Sequence, residues 1–303
     1  MTKHNTIFTT LLLIIAMLVW ASSFIALKIA VNDMGMMSVI FFRMLVASLF
    51  FVFFIKKFIN LEFTKRNIKL LLIMVFFEPC MYFIFEINAL TYTTAGQAGV
   101  ITSFMPLITA FAAGVFLSEI IRKEMIIGSV IAIIGAVWLS LISNSAENAS
   151  NPLLGNFLEM LAMVCGAGYT IVLRHLVKDF SPLFLTAIQS FAGTLFFLPL
   201  TVFEYMTSTS TTLFSLDSVL AVIYLGSVVT LGGYGLYNYA VSRTTAANAS
   251  SFINLIPVFT LIIAFLVLDE VLDYEQLLAC SLILLGVVIT QTKFLKPKRD
   301  TTF

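Results

Sequence analysis

Ten stretches of this chain are each long and apolar enough to span a bilayer, and no other sequence feature restricts its fold as much. They cover about 8–30, 36–55, 70–90, 95–117, 125–142, 154–174, 183–203, 219–241, 246–268 and 276–294 of 303 residues. A spanning helix needs about 20 mostly apolar residues, because backbone N–H and C=O groups in lipid must bond within their own segment. The connections are short, so little of the chain lies outside. Composition agrees: 60% of residues are hydrophobic, 11% are charged, and the mean hydropathy is +1.04. A soluble domain carries about 25% charged residues to coat its surface. The first run also has features of a cleaved leader, with Lys3 and Ala21-Ser22-Ser23. Its apolar character continues to about residue 30, so it reads as a retained span. The expected fold is an all-α integral membrane protein of ten transmembrane helices.

The basic residues orient these helices. With the N-terminus placed in the cytoplasm, fifteen of the 17 Lys and Arg fall on that side, and the other two, Lys28 and Arg43, lie within spans. The opposite loops carry Asp33, Glu147, Glu204, Asp217, Asp269, Asp273 and Glu275 but no Lys or Arg. Both termini are expected in the cytoplasm of a multi-pass protein of the cell (inner) membrane.

The chain also repeats itself. Shifted by 151 residues, Ala89–Ser140 overlies Ala240–Gln291 without a gap, with thirteen of 52 positions identical. Thr93-Thr94-Ala95 falls on Thr244-Thr245-Ala246, Pro106 on Pro257, Glu119 on Glu270 and Gly135 on Gly286. A shift of 146 overlies Ala16–Phe51 on Ala162–Phe197, pairing Lys28 with Arg174 and Asp33 with Asp179. Residues 8–142 and 154–294 are thus expected to be two copies of one five-helix unit. Five is odd, so the second copy enters the membrane from the opposite side. Inverted repeats of this kind mark alternating-access transporters, whose substrate sites lie near the midplane between the halves.

With these residues in view, the chain resembles a known family. Trp20-Ala21-Ser22-Ser23-Phe24 with Lys28 looks like the first-helix signature of the EamA-type family of the drug/metabolite transporter superfamily. Phe41-Phe42-Arg43 is similar to its second-helix element. The stretch from Ala89 through Pro106 to Ser118-Glu119, repeated from Ala240 through Pro257 to Asp269-Glu270, resembles its fourth-helix pattern. The second half departs from the pattern, with Gly166-Ala167-Gly168 in place of the Trp motif and Gln189 where Arg43 stands. The resemblance covers about 8–292 and implies a ten-helix bundle that exports or exchanges small organic solutes.

Ionisable groups inside a span are costly, so each needs a reason. Glu78 lies deepest, and Tyr82, Phe85 and Glu86 follow it at helical spacing on one face. This stripe reads as a lining of the pathway, with Glu78 a cation or proton partner; the alternative is a structural carboxyl within the bundle. Pro79 removes a backbone donor beside Glu78 and is expected to kink the helix there. Arg43 lies roughly 10 Å below the outer surface, at a depth similar to Glu86 and Glu159. A structural Arg–Glu pair is the favoured reading and a substrate-carboxylate contact the second; Lys28 is explained by snorkelling. Pro106 and Pro257 are expected to kink the fourth and ninth helices near mid-membrane. Gln97, Ser103, Asn248 and Asn254 lie in the small, polar stretches beside them, which suit close packing and a wet cavity together. Tyr234, Tyr237 and Asn238 share a helical face, and Trp20 and Tyr169 sit at corresponding depths, so these are further pathway candidates. Glu119 and Glu270 end their helices at the surface as solvated or capping groups, and Gly128 and Gly135 read as packing residues.

The rival classes are an integral-membrane lipid-modifying enzyme and a non-transporting membrane subunit. An enzyme would need a nucleophile–base set or a metal cluster. His4 and His175 are the only histidines, no HExxH occurs, and Cys80, Cys165 and Cys280 read as buried thiols. No catalytic residue, metal or cofactor is expected. The near-neutral balance of 17 basic and 16 acidic residues offers no face for nucleic acid. The expected partners are a small-molecule substrate and the bilayer, with a homodimer left open.

Overall fold

The computed structural model describes residues 3–31, 33–58, 61–93, 98, 101–142, 151–207, 214–268 and 274–291; these are helices and short connections, with no strand among them. The elements are α1 (Lys3–Val31), α2 (Met36–Val52), α3 (Lys65–Val75), α4 (Tyr82–Tyr92), α5 (Met105–Phe116), α6 (Lys123–Ile142) and α7 (Pro152–Leu176). They continue as α8 (Pro182–Thr207), α9 (Leu216–Tyr224), α10 (Gly235–Arg243), α11 (Ala246–Ser251), α12 (Ile256–Leu268) and α13 (Tyr274–Gln291). A wide π-helical stretch, Phe76–Met81, joins α3 to α4, and a second one, Leu225–Tyr234, joins α9 to α10. Among the described residues six helices are long and apolar enough to cross a membrane, starting at Thr6, Lys65, Leu153, Pro182, Leu216 and Tyr274. Met36–Val52 and Met105–Phe116 are shorter apolar helices. The run at 95–117 is broken by a turn at Ser103–Phe104, and 95–97 and 99–100 lie outside the described residues.

Helices in lipid have little hydrophobic force between them and rely on close packing. The α6–α13 seam shows this: a Cβ on Gly128 would lie 2.5 Å from the Gly286 carbonyl oxygen, and one on Gly286 2.5 Å from that of Gly128. Gly135 sits as tightly against Ala279 and Ile283. Elsewhere α2 packs on α8 and α4 on α7, while α1 runs between Leu225–Tyr234, α10 and α12. The main core gathers Leu13, Met17, Met163, Tyr169, Tyr237 and Phe252, from α1, α7, α10 and the 3-10 turn Phe252–Leu255.

Helix starts leave backbone N–H groups without partners. Thr64, Asn151, Ser215 and Thr245 cap α3, α7, α9 and α11 with their own side chains. Two other starts are capped from the opposite half of the chain. Glu204 of α8 accepts from Met37 N (3.1 Å), Ser38 N (2.9 Å) and Ser38 Oγ (2.8 Å) at the start of α2. Gly35 allows this approach, since a Cβ there would lie 2.2 Å from the carboxyl. Glu119 accepts from Ala246 N (3.0 Å) and Ala247 N (3.3 Å) at the start of α11. Arg174 lies 3.9 Å from Glu119 and donates to the Val241 carbonyl (2.8 Å) at the end of α10. At the end of α1, Asp33 accepts from Ser215 N (3.2 Å) and Ser218 Oγ (2.8 Å). The hydrogen bond from the Ser215 side chain, then those from Ser218 and the Ser215 backbone, hold this carboxyl below the ordinary Asp value. A lowered value means the tie is complete above that ordinary value and is lost as pH falls through the lowered one.

Candidate functional site

The backbone opens where the deepest carboxylate sits. Glu78 lies midway along Lys65–Tyr92 with extended torsions (φ −148°, ψ 120°), and Pro79 follows it without an N–H to donate. The helix stops and restarts across this residue, and π-type interruptions of this kind recur at functional sites. The second interruption, Leu225–Tyr234, contains no proline but is glycine-rich. Gly233 is one cause of its close approach to α1: a Cβ there would lie 2.5 Å from Trp20 Nε1.

Between these two openings lies a cavity walled by Trp20, Arg43, Glu78, Tyr82, Phe83, Glu86, Thr102, Tyr169, Tyr234 and Tyr237 and closed by apolar side chains such as Met105 and Met163. Five of the sequence candidates for the pathway, Trp20, Glu78, Tyr82, Tyr169 and Tyr234, are brought together on this one wall. Trp20 lies between Tyr234, met edge-on, and Tyr237, tilted, at 5.4 and 5.1 Å between ring centroids. Tyr234 and Glu78 lie on the same wall, and the Tyr82 hydroxyl donates to Glu86 (3.0 Å). The site thus combines an aromatic box with both signs of charge.

Arg43 does not form the ion pair expected from its depth. Its Nε donates to Thr230 Oγ1 (2.7 Å), and its guanidinium lies 4.8 Å from the Phe83 ring centroid. An ion pair within contact distance is formed instead by Arg174 and Glu119. Equal depth does not place two residues on facing sides of their helices: Glu86 is held by Tyr82, and Glu159 sits on α7, off the cavity wall. Arg43 therefore keeps its two Nη groups without a hydrogen-bond partner among the described residues.

Behind the aromatic box, a polar network fixes the second half. The Tyr169 hydroxyl donates to Asn238 Oδ1, and Asn238 Nδ2 donates to Thr186 Oγ1 (2.9 Å) and Gln189 Oε1 (3.0 Å). Asn238 thus orients Tyr169 rather than lining the cavity. Ser103 and Asn254 are fully buried, without a side-chain hydrogen-bond partner among the described residues, one residue from the wall residues Thr102 and Ile253. Gln97 lies outside the described residues, as does the side chain of Lys28. Pro106 and Pro257 are each the second residue of a helix, α5 and α12, where a missing N–H costs nothing. The irregularity falls just before each, as a turn at Ser103–Phe104 and the 3-10 turn Phe252–Leu255. Phe83 and Thr230, the contacts of Arg43, were not legible from spacing. Gln189 was, since the internal repeat puts it in the register of Arg43.

Fold and site together define a multi-pass helical membrane protein with a polar, aromatic cavity between its interrupted helices. Comparison with known proteins gives the class: the chain belongs to the EamA-like transporter family, whose model matches residues 7–141 and again 153–292. It is 27% identical over 238 residues to "Uncharacterized transporter YetK" of Bacillus subtilis, covering 77% of this chain and 71% of the other. An "Uncharacterized transporter" of Archaeoglobus fulgidus is 25% identical over 297 residues, covering 94% and 98%. A "Probable terminal-alkyne amino-acid exporter" of Streptantibioticus cattleyicolor is 23% identical, covering 96% and 95%. A protein of known crystal structure superposes with a TM-score of 0.75 over 94% of this chain and 96% of that one, at 15% identity, and shares the fold.

Proposed function

We propose that this protein exports or exchanges small zwitterionic organic solutes, amino-acid-like in chemistry, by alternating access around the Arg43–Glu78 cavity. The observation that carries the reading is the lining itself. Arg43 offers free Nη donors to a carboxylate. Glu78 and Glu86 face it with negative charge for an ammonium group, and Trp20, Tyr234 and Tyr237 supply a box for an apolar or cationic portion. The name of the Streptantibioticus relative points to the same solute class. Glu78 is the coupling carboxylate in this reading, exchanging a proton as the cavity faces one side and then the other. The cavity measures about 70 Å³, a few waters' worth, so a solute fits only when the walls separate.

Ten spans in two inverted five-helix repeats, residues 8–142 and 154–294, complete the proposal, with both termini cytoplasmic in the cell membrane. Packing supports the duplication. α2 on α8 and α6 on α13 each join an element to its repeat counterpart, and α5 on α7 is mirrored by α12 on α1. Buried side-chain oxygens without a partner among the described residues also fall at matching positions, Ser103 with Asn254 and Thr109 with Thr260. An untargeted comparison of metabolites inside and outside overexpressing cells should show an amino-acid-like solute accumulating outside. That solute should then flow through the purified protein in proteoliposomes. Lipid turnover in detergent with no solute flux would favour the enzyme alternative instead.

A further inference from the structure

The seam between α4 and α7 sets a second acid against Glu86. Asn151 N donates to the Tyr92 carbonyl (3.2 Å), and Thr93 Oγ1 donates to Asn156 Oδ1 (2.9 Å). A Cβ on Gly155 would lie 3.0 Å from the Ala89 carbonyl, and one on Gly166 would lie 3.5 Å from the Tyr82 ring. The helices therefore run antiparallel in close register from one end of α4 to the other. Glu86 falls between Ala89 and Tyr82, and Glu159 between Gly155 and Gly166, so the two acids meet across the seam. The charged neighbour that acts on Glu159 is indeed Glu86.

Glu159 is 1% exposed, and its Oε2 has no hydrogen-bond partner among the described residues. Glu86 accepts one hydrogen bond, from Tyr82. The other charged or titratable groups around the pair are Tyr82, Arg43, whose Nε is held by Thr230 and whose guanidinium lies over Phe83, and Glu78 and Tyr234 on the same cavity wall. Two like charges facing each other inside the bundle, with no ion-pair partner among the described residues, cannot both persist. One carboxyl must donate where the other accepts, which also gives the unpartnered oxygen its bond.

We infer that Glu86, on the wall of the pathway, and Glu159, behind it, share one proton and form a second proton-carrying site distinct from Glu78. Its use in transport rests on the proposed function, whereas the proton sharing rests on the seam alone. The test is infrared titration of the protonated carboxyl band in reconstituted protein carrying Glu78→Gln, which removes that acid's own signal and makes the result independent of Glu78 coupling. A protonated carboxyl should be present at neutral pH and should vanish in Glu159→Gln, where Glu86 is left with Tyr82 and Arg43 to stabilise its charge. Glu86→Gln should retain the band but hold the proton at least about tenfold less tightly, because the facing charge is gone. A band that survives Glu159→Gln, or a proton affinity unmoved by Glu86→Gln, would overturn the inference. So would a proton affinity that falls when sodium replaces a bulky organic cation, since the pair would then hold a metal cation. If Glu159→Gln fails a size-exclusion check, the affinity change in Glu86→Gln decides alone.

Discussion

Arg43 joins three elements through one side chain: it stands on α2, donates to Thr230 in the interrupted stretch before α10, and lies over Phe83 of α4. Removing a charged donor from a buried hydrogen bond costs about 1.5–3 kcal/mol. Arg43→Ala should therefore lower folded yield and thermal stability, and Arg43→Lys should recover only part of either, because an ammonium cannot keep Nε on Thr230 and a planar face on Phe83 at once. Thermal unfolding of the purified variants in detergent checks this; unchanged stability in both would leave Arg43 with no structural role. The charge was legible in the sequence as a residue needing a partner, but the partner was not. Depth along a helix follows from counting residues, whereas azimuth depends on packing against neighbours that counting does not reveal. Glu78 was read more completely, because the proline beside it marks the break on the same helix.

Among the elements, the caps of α2 and α11 tie the halves together. Glu204 and Glu119 each bring a carboxylate to two N–H groups of a helix start contributed by the other half. The positive end of the helix dipole favours the charge further. Glu204→Ala and Glu119→Ala should each destabilise the fold by about 0.5–2 kcal/mol. Gly35→Ala should mimic Glu204→Ala, because its new methyl would occupy the place of the carboxyl. Aggregation temperature by size-exclusion chromatography reads all three, and a Gly35→Ala protein as stable as the wild type would contradict the cap at α2. From the sequence Glu119 could be placed at a helix end as a solvated or capping group. Which helix it caps was hidden, since α11 lies more than a hundred residues away in the chain. Similarly, Pro106 and Pro257 announced irregular backbone, and packing decided that it takes the form of a turn before each helix rather than a bend within it.

At the scale of the molecule, the membrane class was legible because hydropathy and the satisfaction of backbone hydrogen bonds in lipid leave few choices. The proposed duplication rests on Pro106 and Pro257, which recur with the residues around them at one fixed shift. The proposed topology predicts labelling in a background free of cysteine. Single Cys probes at positions 62 and 298 should react only from the cytoplasm, and one at 147 only from outside. Labelling of 62 and 147 from the same side would contradict the arrangement. The central claim is that solute passes through the cavity with Glu78 coupling its passage to protons. It is tested most directly by solute flux against pH in proteoliposomes, using the metabolite found to accumulate outside overexpressing cells, for the wild type and Glu78→Gln. The account predicts a Glu78→Gln protein with a normal size-exclusion profile that has lost the pH dependence of transport. Equal rates and equal pH dependence in the two proteins would contradict it.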